Sequence, residues 1–236
     1  MESIILEGIP PVEVHLRRSP RATRLSLRVG RTDGRVTLTL PRRATLREAH
    51  AFANAQAAWI RQHVSAAPSV QHPVIGGTLP ILGEVLPIVA GQTRVARLLP
   101  DAVLVPDDTA KVGPRIKTLL RTLAQTHLTE ACERYATALG RNHGKITFRD
   151  TRSRWGSCTS RGDLMFSWRL VMAPWEVLDY VAAHEVAHLA HMDHSARFWA
   201  QVEDLLPRYQ PHRAWLKAHG AGLHAWDFSV LDATPD

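Results

Sequence analysis

Apolar and polar residues alternate along the N-terminal part of the chain with the period of a β-strand. Residues 24–29 alternate arginine or serine with leucine or valine, and the alternation resumes over residues 36–40. The Asp-Gly pair at 33–34 tolerates positive φ and is typical of a hairpin turn between two such runs. The pattern therefore predicts a hairpin with one buried face and a polar face that carries Arg24 and Arg28.

The following segment begins with a helical pattern and continues with short apolar runs. Thr45 and Glu48 have the spacing of a capping box, which predicts a helix from about Thr45 to His63. Residues 65–108 are rich in proline and glycine, and their short apolar runs predict strands that continue the N-terminal sheet. These runs are residues 78–82, 85–89 and 103–105.

Helical periodicity dominates from residue 110 onward. Apolar residues recur at helical spacing up to Gly140, which predicts a long helix over about 110–139 with Pro114 in its first turn. Strand patterns return at 145–149 and in a hairpin over 153–171. The last predicted elements are helices at 174–191, 195–206 and 211–219.

This order of elements predicts an α+β fold. A β-rich, Arg-rich region over about 1–105 is expected to precede a hydrolase domain over about 106–226, and residues 227–236 form a tail. The hydrolase domain is expected to contain a long helix, a small β-sheet and an active-site helix.

Composition indicates an ordinary globular protein. Apolar residues make up 45% of the chain and charged residues 22%, and there are two cysteines. No stretch approaches the ~20 apolar residues of a membrane span, and the N-terminus has no pattern of a secretory signal. We therefore expect a cytoplasmic protein with no membrane partner.

The net charge of +7 is concentrated near the N-terminus. Residues 1–64 contain eleven arginines, no lysine and five acidic residues, a balance of +6. Such a region either contacts a phosphate-rich partner, a nucleotide or a nucleic acid, or forms a solvated basic sheet face.

The pattern that indicates chemistry is the helical segment His184-Glu185-x-x-His188. Two histidines four residues apart on a helix point the same way, so their ring nitrogens can bind one ion. Glu185 is rotated by about 100° from His184 and can take a proton from a metal-bound water. Apolar neighbours predict that the helix is buried, where unpaired imidazoles would be costly. The pattern therefore predicts Zn²⁺, one ion per chain.

A catalytic zinc usually has a third protein ligand. His191 lies on the same predicted helix as His184 and about 10.5 Å along its axis. Three ligands on one straight helix close a tetrahedron poorly. His194 follows Met192-Asp193, where the helix can end, and is therefore favoured over His191.

Several runs of the sequence resemble the bacterial YgjP-like metallopeptidase family, which is similar in turn to SprT-like and Spartan-type zinc metalloproteases. The resemblance is dense over residues 150–217 and looser over 20–150. The matching runs are residues 152–158 (RSRWGSC), 168–170 (WRL), Pro174, 177–181 (VLDYV), 184–189 (HEVAHL) and 194–199 (HSxxFW). It implies a zincin-like core, a peptide or protein substrate, and His194 as the third metal ligand.

Residues outside this motif have two interpretations each. Arg152 and Arg154 either bind a substrate carboxylate or phosphate, or pair with Asp150 or Asp179. Tyr180 either donates to an oxyanion or packs, and packing is favoured.

The segment that precedes the active-site helix also has two interpretations. The hairpin containing 152–158 either presents an edge strand to an extended peptide or is a structural sheet filled by Trp155 and Trp168. Cys158 is expected to be a small buried thiol.

Three classes of function stay open. The first is a zinc metallopeptidase in which Glu185 activates the water. The second is a metal-dependent nucleotide phosphoanhydride hydrolase of the pyrophosphatase type, with arginines holding phosphates. The third is a nucleic-acid-associated module, with either SprT-like protease activity or a structural metal. Glu185 argues against a structural metal, because a closed site needs no base.

Overall fold

Strands and helices form separate layers in the computed structural model, which describes residues 2–30, 33–66 and 68–230. The strands are β1 Ser3–Leu6, β2 Val12–Ser19, β3 Ser26–Val29, β4 Val36–Pro41, β5 Thr78–Ile81, β6 Glu84–Gly91, β7 Arg97–Leu98, β8 Val103–Pro106, β9 Ile146–Arg149, β10 Gly156–Cys158 and β11 Leu164–Ser167. The helices are α1 Leu46–Ala55, α2 Ala57–Ser65, α3 Val112–Leu139, α4 Trp175–Ala187, α5 Ala196–Leu205 and α6 Gln210–Leu223.

The chain divides into two compact units, Met1–Val70 and Gln71–Asp236. The division lies at Val70, whereas the sequence analysis placed the end of the β-rich region near residue 105. Of the expected tail, residues 231–236 lie outside the described residues.

The first unit is a four-stranded sheet in the order β1-β2-β4-β3. Its predicted hairpin is confirmed, because β3 pairs antiparallel with β4 and Leu27 lies opposite Leu38. Residues 31–32 of the predicted turn lie outside the described residues. Buried Ala49, Ala53 and Ile60 of the two helices join the apolar side chains of one sheet face in a single core cluster.

The helical segment that covers this sheet begins as predicted. The Thr45 hydroxyl accepts a hydrogen bond from the Glu48 amide, and the Glu48 carboxylate accepts one from the Thr45 amide at 2.7 Å. The prediction of one continuous helix to His63 is wrong, because the helix breaks at Gln56.

The other face of this sheet is polar and basic. Arg17 lies opposite Thr39 in the β2–β4 register and donates to its hydroxyl at 3.2 Å, and Arg28 lies opposite Thr37 in the β3–β4 register. Arg17 and Arg28 are exposed, as is Arg24, which precedes β3. The alternation of the sequence therefore places these arginines on the side away from the core.

The prediction that the strands after residue 65 continue the N-terminal sheet is wrong. Strands β5 to β8 form their own sheet, in the order β5-β6-β8-β7, within the second unit. Their apolar side chains enter the core cluster of that unit. The amide of Leu82, beside β5, donates to the carbonyl of Val171 at 2.8 Å. These contacts fix the strands to the second unit.

The long helix α3 is the central element of the second unit. Pro114 lies in its first turn, and Gly140 ends it with a φ of 64°, as the sequence predicts. Its buried residues recur at helical spacing, for example Ile116, Leu120 and Ala124. They pack against α4 and the short 3₁₀ segment Trp168–Met172.

A third sheet, in the order β10-β11-β9, lies beside α4. Strands β10 and β11 form the predicted antiparallel hairpin, whereas β11 and β9 pair in parallel. Strand β10 is therefore an edge strand. The α+β class is confirmed, and the long helix, small sheet and active-site helix all lie in the second unit. Among the described residues, no helix is both long and apolar enough to cross a membrane.

Candidate metal centre

Three histidines converge where helix α4 ends and helix α5 begins. The candidate ligand nitrogens of His184, His188 and His194 all lie within 4.8 Å of one another. The Nε2 atoms of His184 and His194 are 3.2 Å apart. His184 lies in the last turn of α4, and His194 precedes Ser195, the N-cap residue of α5. The end of one helix and the start of the next therefore bring the three rings together.

The end of helix α4 differs from the sequence-based prediction of a helix through about His191. The helix ends at Ala187 with His188 as its C-cap residue, and the chain then turns. The His188 Nδ1 atom is 3.0 Å from the His191 carbonyl oxygen, to which an Nδ1–H donates. This contact leaves His188 Nε2 with a lone pair for a metal. His191 thus contributes a backbone oxygen that orients the ring of His188.

Two of the three rings, those of His184 and His188, have the neutral state that a metal ligand requires. Burial, and then the neighbouring His188, His194 and Arg213, lowers the pKa of His184 to about 3. Burial also lowers the pKa of His188. Both imidazoles are therefore neutral at physiological pH.

The spacing of the nitrogens provides a test of fit. Two nitrogens bound at about 2.0–2.1 Å to a tetrahedral ion are about 3.3 Å apart, close to the observed 3.2 Å between His184 and His194. The Nδ1 atom of His184 is buried and has no hydrogen-bond partner among the described residues. The opposite ring nitrogen is thus the one directed at the other histidines. The residues present fit a tetrahedral metal ion.

Glu185 lies one residue after the first histidine and packs against strand β10. It is only 5% exposed, and burial raises the pKa of its carboxyl to about 8, although the positive charge of Arg154 opposes the shift. A Cβ atom at Gly156 would lie 2.4 Å from Glu185 Oε1. Only glycine leaves room for this carboxylate, and the sequence analysis did not identify that requirement.

A cavity of about 440 Å³ joins the three histidines to Glu185 and strand β10. Arg154 lines this cavity, whereas Arg152 and Tyr180 are not among its lining residues. The ring of Tyr180 packs edge-on against His184 with centroids 5.9 Å apart and stacks on Tyr209 at 5.8 Å.

The two aspartates considered as partners for the arginines accept hydrogen bonds from residues elsewhere in the chain. Asp150 accepts from Arg169 Nε at 2.6 Å. Asp179 accepts from Arg134 and, at 2.5 Å, from the Tyr135 hydroxyl. The hydrogen bonds of Asp179 connect helix α4 to α3. Those of Asp150 connect the end of strand β9 to the 3₁₀ segment before α4.

Aromatic rings enclose the histidines on the side away from β10. Phe198 is fully buried and stacks on His188 with centroids 4.4 Å apart, and the Trp199 ring lies 5.5 Å from that of His184. Both residues belong to the first turn of α5. The sequence indicated them only as part of the HSxxFW run.

Both cysteines are free thiols. Cys158 is half-buried and lines the cavity, where burial and the charge of Glu185 raise the pKa of its thiol to about 11. A protonated thiol is a poor nucleophile. The cavity therefore contains one buried carboxylate and one imidazole cluster as its reactive groups.

One family model and two solved structures are similar to this chain. The family model described as YgjP-like, metallopeptidase domain, matches residues 23–219. Among solved structures, the metallopeptidase zymogen of Pyrococcus abyssi abylysin is 23% identical, with a TM-score of 0.35 over 38% of this chain and 93% of that chain. The zymogen of Methanocaldococcus jannaschii jannalysin is 16% identical, with a TM-score of 0.34 over 39% of this chain and 94% of that chain. No curated protein matches the chain.

Proposed function

The chain belongs to the YgjP-like metallopeptidase family, and from this premise we propose that it is a zinc-dependent peptidase. In this proposal His184, His188 and His194 hold the ion and Glu185 is the general base. The observation that carries it is the convergence of three histidine nitrogens within 4.8 Å in a cavity shared with a buried carboxylate. Three imidazole ligands that leave a fourth position open are typical of catalytic rather than structural zinc.

The bound zinc would supply a Lewis acid that polarises the scissile carbonyl and makes water a stronger acid. The positive charge of the ion would favour the ionised form of Glu185, whose carboxylate lies in the same cavity and accepts the proton of the attacking water. It then returns that proton to the amine that leaves. The absence of a side chain at Gly156 leaves room for this carboxylate beside β10.

Strand β10 supports a peptide as the substrate. It is the edge strand of its sheet, and its residues line the cavity beside Glu185. An extended peptide can pair with the free edge of a strand through main-chain hydrogen bonds. Such pairing would place the peptide backbone alongside the histidines. Arg154 at the cavity wall is the one feature that also fits a phosphate, which is why nucleotides belong in the test.

Activity assays with a base-deleted variant test the proposal. The zinc-loaded protein is incubated with an unfolded protein and, separately, with nucleoside triphosphates. We expect the unfolded protein to be cleaved and Glu185→Gln to lose about 10²–10⁴-fold in turnover while retaining zinc. Near-normal turnover by Glu185→Gln would exclude this base, and hydrolysis of triphosphates alone would replace the peptidase by a phosphoanhydride hydrolase.

A further inference from the structure

We infer that the cleft around the metal centre selects peptides with acidic side chains near the scissile bond. The inference rests on the proposed peptidase function and concerns the substrate class of the same site. It arises from two further cavities that adjoin the metal-centre cavity, and from the cations that line them.

The first of these cavities, of about 480 Å³, lies on the face of the third sheet that points away from α4. It meets the metal-centre cavity at Ser153, Arg154 and Ser157, which line both. The register aligns Thr147, Met165 and Ser157 across the three strands, and all three line this cavity. The neighbouring row includes Gly156, which faces Glu185. The two cavities are therefore on opposite faces of the sheet and join at its β10 edge.

The second cavity, of about 320 Å³, adjoins the metal centre at His188 and Met192. Arg141 and Arg161 line it. Both cavities that adjoin the metal centre are therefore lined by cations.

Cations greatly outnumber carboxylates along this path. The two flanking cavities and the central one contain five basic side chains, which are Arg141, Lys145, Arg149, Arg154 and Arg161. Their only carboxylates are Glu185 and Asp163.

Both carboxylates have other roles. Glu185 is the proposed base, and Asp163 accepts from the Lys145 amide at 2.9 Å. Among the described residues, the side chains of Lys145 and Arg149 have no carboxylate within 4.0 Å. These cations are thus available to an anionic ligand.

The linings have few apolar side chains with which to recognise a substrate. Ligand pockets are usually lined mainly by apolar and aromatic residues, but these cavities contain no aromatic side chain other than the histidines of the centre. Hydroxyl groups such as those of Ser153, Thr147 and Thr151 fill the spaces between the cations. Recognition in this cleft must therefore rely on charge and hydrogen bonds.

A peptide bound to the edge of β10 would place its side chains alternately on the two faces of the sheet. Every second side chain would then lie on the sheet face that carries Arg149 and Lys145, which belong to β9 and the residue before it, beyond β11. The other side chains would face the metal centre. The geometry points to acidic residues at alternate positions of the substrate, with Arg154 nearest to the β10 edge.

Matched peptides test this inference. One fluorogenic sequence is prepared with glutamate, glutamine or lysine at two alternate positions, and kcat/KM is measured with the zinc-loaded protein. We expect kcat/KM to decrease in the order glutamate, glutamine, lysine. Each exposed ion contact should change kcat/KM by at most about fivefold. The advantage of glutamate should shrink as salt rises, because exposed charges are screened over about 10 Å at 0.1 M.

Charge-reversal variants identify the basic residues that contact the acidic side chains of the peptide. The double variant Lys145→Glu/Arg149→Glu should lower the ratio of glutamate to glutamine kcat/KM, whereas Arg121→Glu, an exposed position on α3 outside the three cavities, should leave that ratio unchanged. Binding of the same peptides to the Glu185→Gln variant, followed by fluorescence anisotropy, gives a readout that does not require turnover.

The outcomes separate the inference from the proposed function. Equal kcat/KM for the three wild-type peptides, with equal binding, would overturn the acidic preference and leave the peptidase proposal intact. Tighter binding of the glutamate peptide without any cleavage would support the acidic cleft and overturn the peptidase. Neither cleavage nor binding would overturn both.

Discussion

His194 and His191 contribute different atoms to the histidine cluster although both are close to His188 in sequence. His194 contributes a ring nitrogen to the cluster, whereas His191 contributes its backbone oxygen to the ring of His188. A side-chain substitution at His191 therefore preserves the hydrogen bond between its backbone carbonyl and the His188 ring.

We expect His194→Ala to lose most of its zinc and His191→Ala to retain about one ion per chain, as a three-ligand site requires. Elemental analysis of the purified variants measures this directly, with His184→Ala and His188→Ala as references for a broken site. Metal loss from the His191 variant with retention by the His194 variant would reverse the assignment.

Gly156 limits the position of Glu185, the proposed base. A methyl group at this residue would lie 2.4 Å from Glu185 Oε1, so the carboxylate has to move. We expect Gly156→Ala to retain zinc but lose about 10²-fold in kcat, since displacement by about 1 Å can cost that much. Gly222→Ala on α6 is the matched control, because a Cβ there meets nothing within 4 Å. Full activity of Gly156→Ala would show that the carboxylate tolerates displacement.

Helix ends and turns were predictable where the residues that determine them are close together in the sequence. The capping box of Thr45 and Glu48, the Asp-Gly hairpin and the Gly140 helix end each depend on residues within one turn of the chain. The histidine pair of α4 was readable for the same reason, since helical spacing alone aligns two side chains four residues apart.

Elements that depend on distant partners were not predictable. Strands β5 to β8 have the same alternating pattern as β1 to β4, and only their packing in the second core assigns them to a separate sheet. The end of α4 at Ala187 depends on the turn that brings the His191 carbonyl to His188. The room that Gly156 leaves for Glu185 likewise arises between a strand and a helix.

Helix α6 ends at a histidine whose burial makes stability depend on pH. His224 stacks on Trp155 with ring centroids 4.7 Å apart. Burial first, and then the positive charges of Arg169 and Arg152, lowers its pKa to about 4, against the opposing charge of Asp150. The unfolded chain takes up this proton near pH 6.5, whereas the folded chain does so only near pH 4. The free energy of unfolding should therefore fall as the pH decreases through this window.

His224→Phe keeps a ring against Trp155 and removes the titrating group. We expect its free energy of unfolding to decline less than that of the wild-type chain between pH 7 and pH 5. Urea denaturation at both pH values, with the exposed His219→Phe as control, measures the difference. An unchanged pH dependence in His224→Phe would mean that other groups account for the acid sensitivity.

The molecule as a whole concentrates its positive charge in the first unit. Arg17 and Arg28 lie on the polar sheet face of that unit with threonine hydroxyls between them. Arginine and hydroxyl side chains are typical contacts to nucleic-acid phosphates, and they carry no base specificity.

We therefore expect weak, sequence-independent binding of duplex DNA at low salt, with a slope of log affinity against log salt of about one per phosphate contacted. Arg17→Glu/Arg28→Glu should reduce the affinity and the slope, whereas Arg47→Glu on α1 should change them less. Filter binding over a salt series provides the measurement. No binding at the lowest salt would leave this face a solvated basic surface.

The turn between His188 and His194 has a consequence for the lifetime of the protein. Residues 189–193 form no helix, and Met192 is 52% exposed. The hydrogen bond from the Phe198 amide to Ser195 at the start of α5 is long, at 3.5 Å. An ion bound by both His188 and His194 would cross-link the two ends of this turn and stabilise it.

Removal of the ion by a chelator should thus speed trypsin cleavage after exposed Arg197, and added zinc should reverse this effect. The His194→Ala variant should be cleaved quickly with or without zinc. Timed digestion followed by mass spectrometry tests this, and equal digestion rates with and without chelator would contradict it. The supply of metal would then determine how long each molecule survives other proteases.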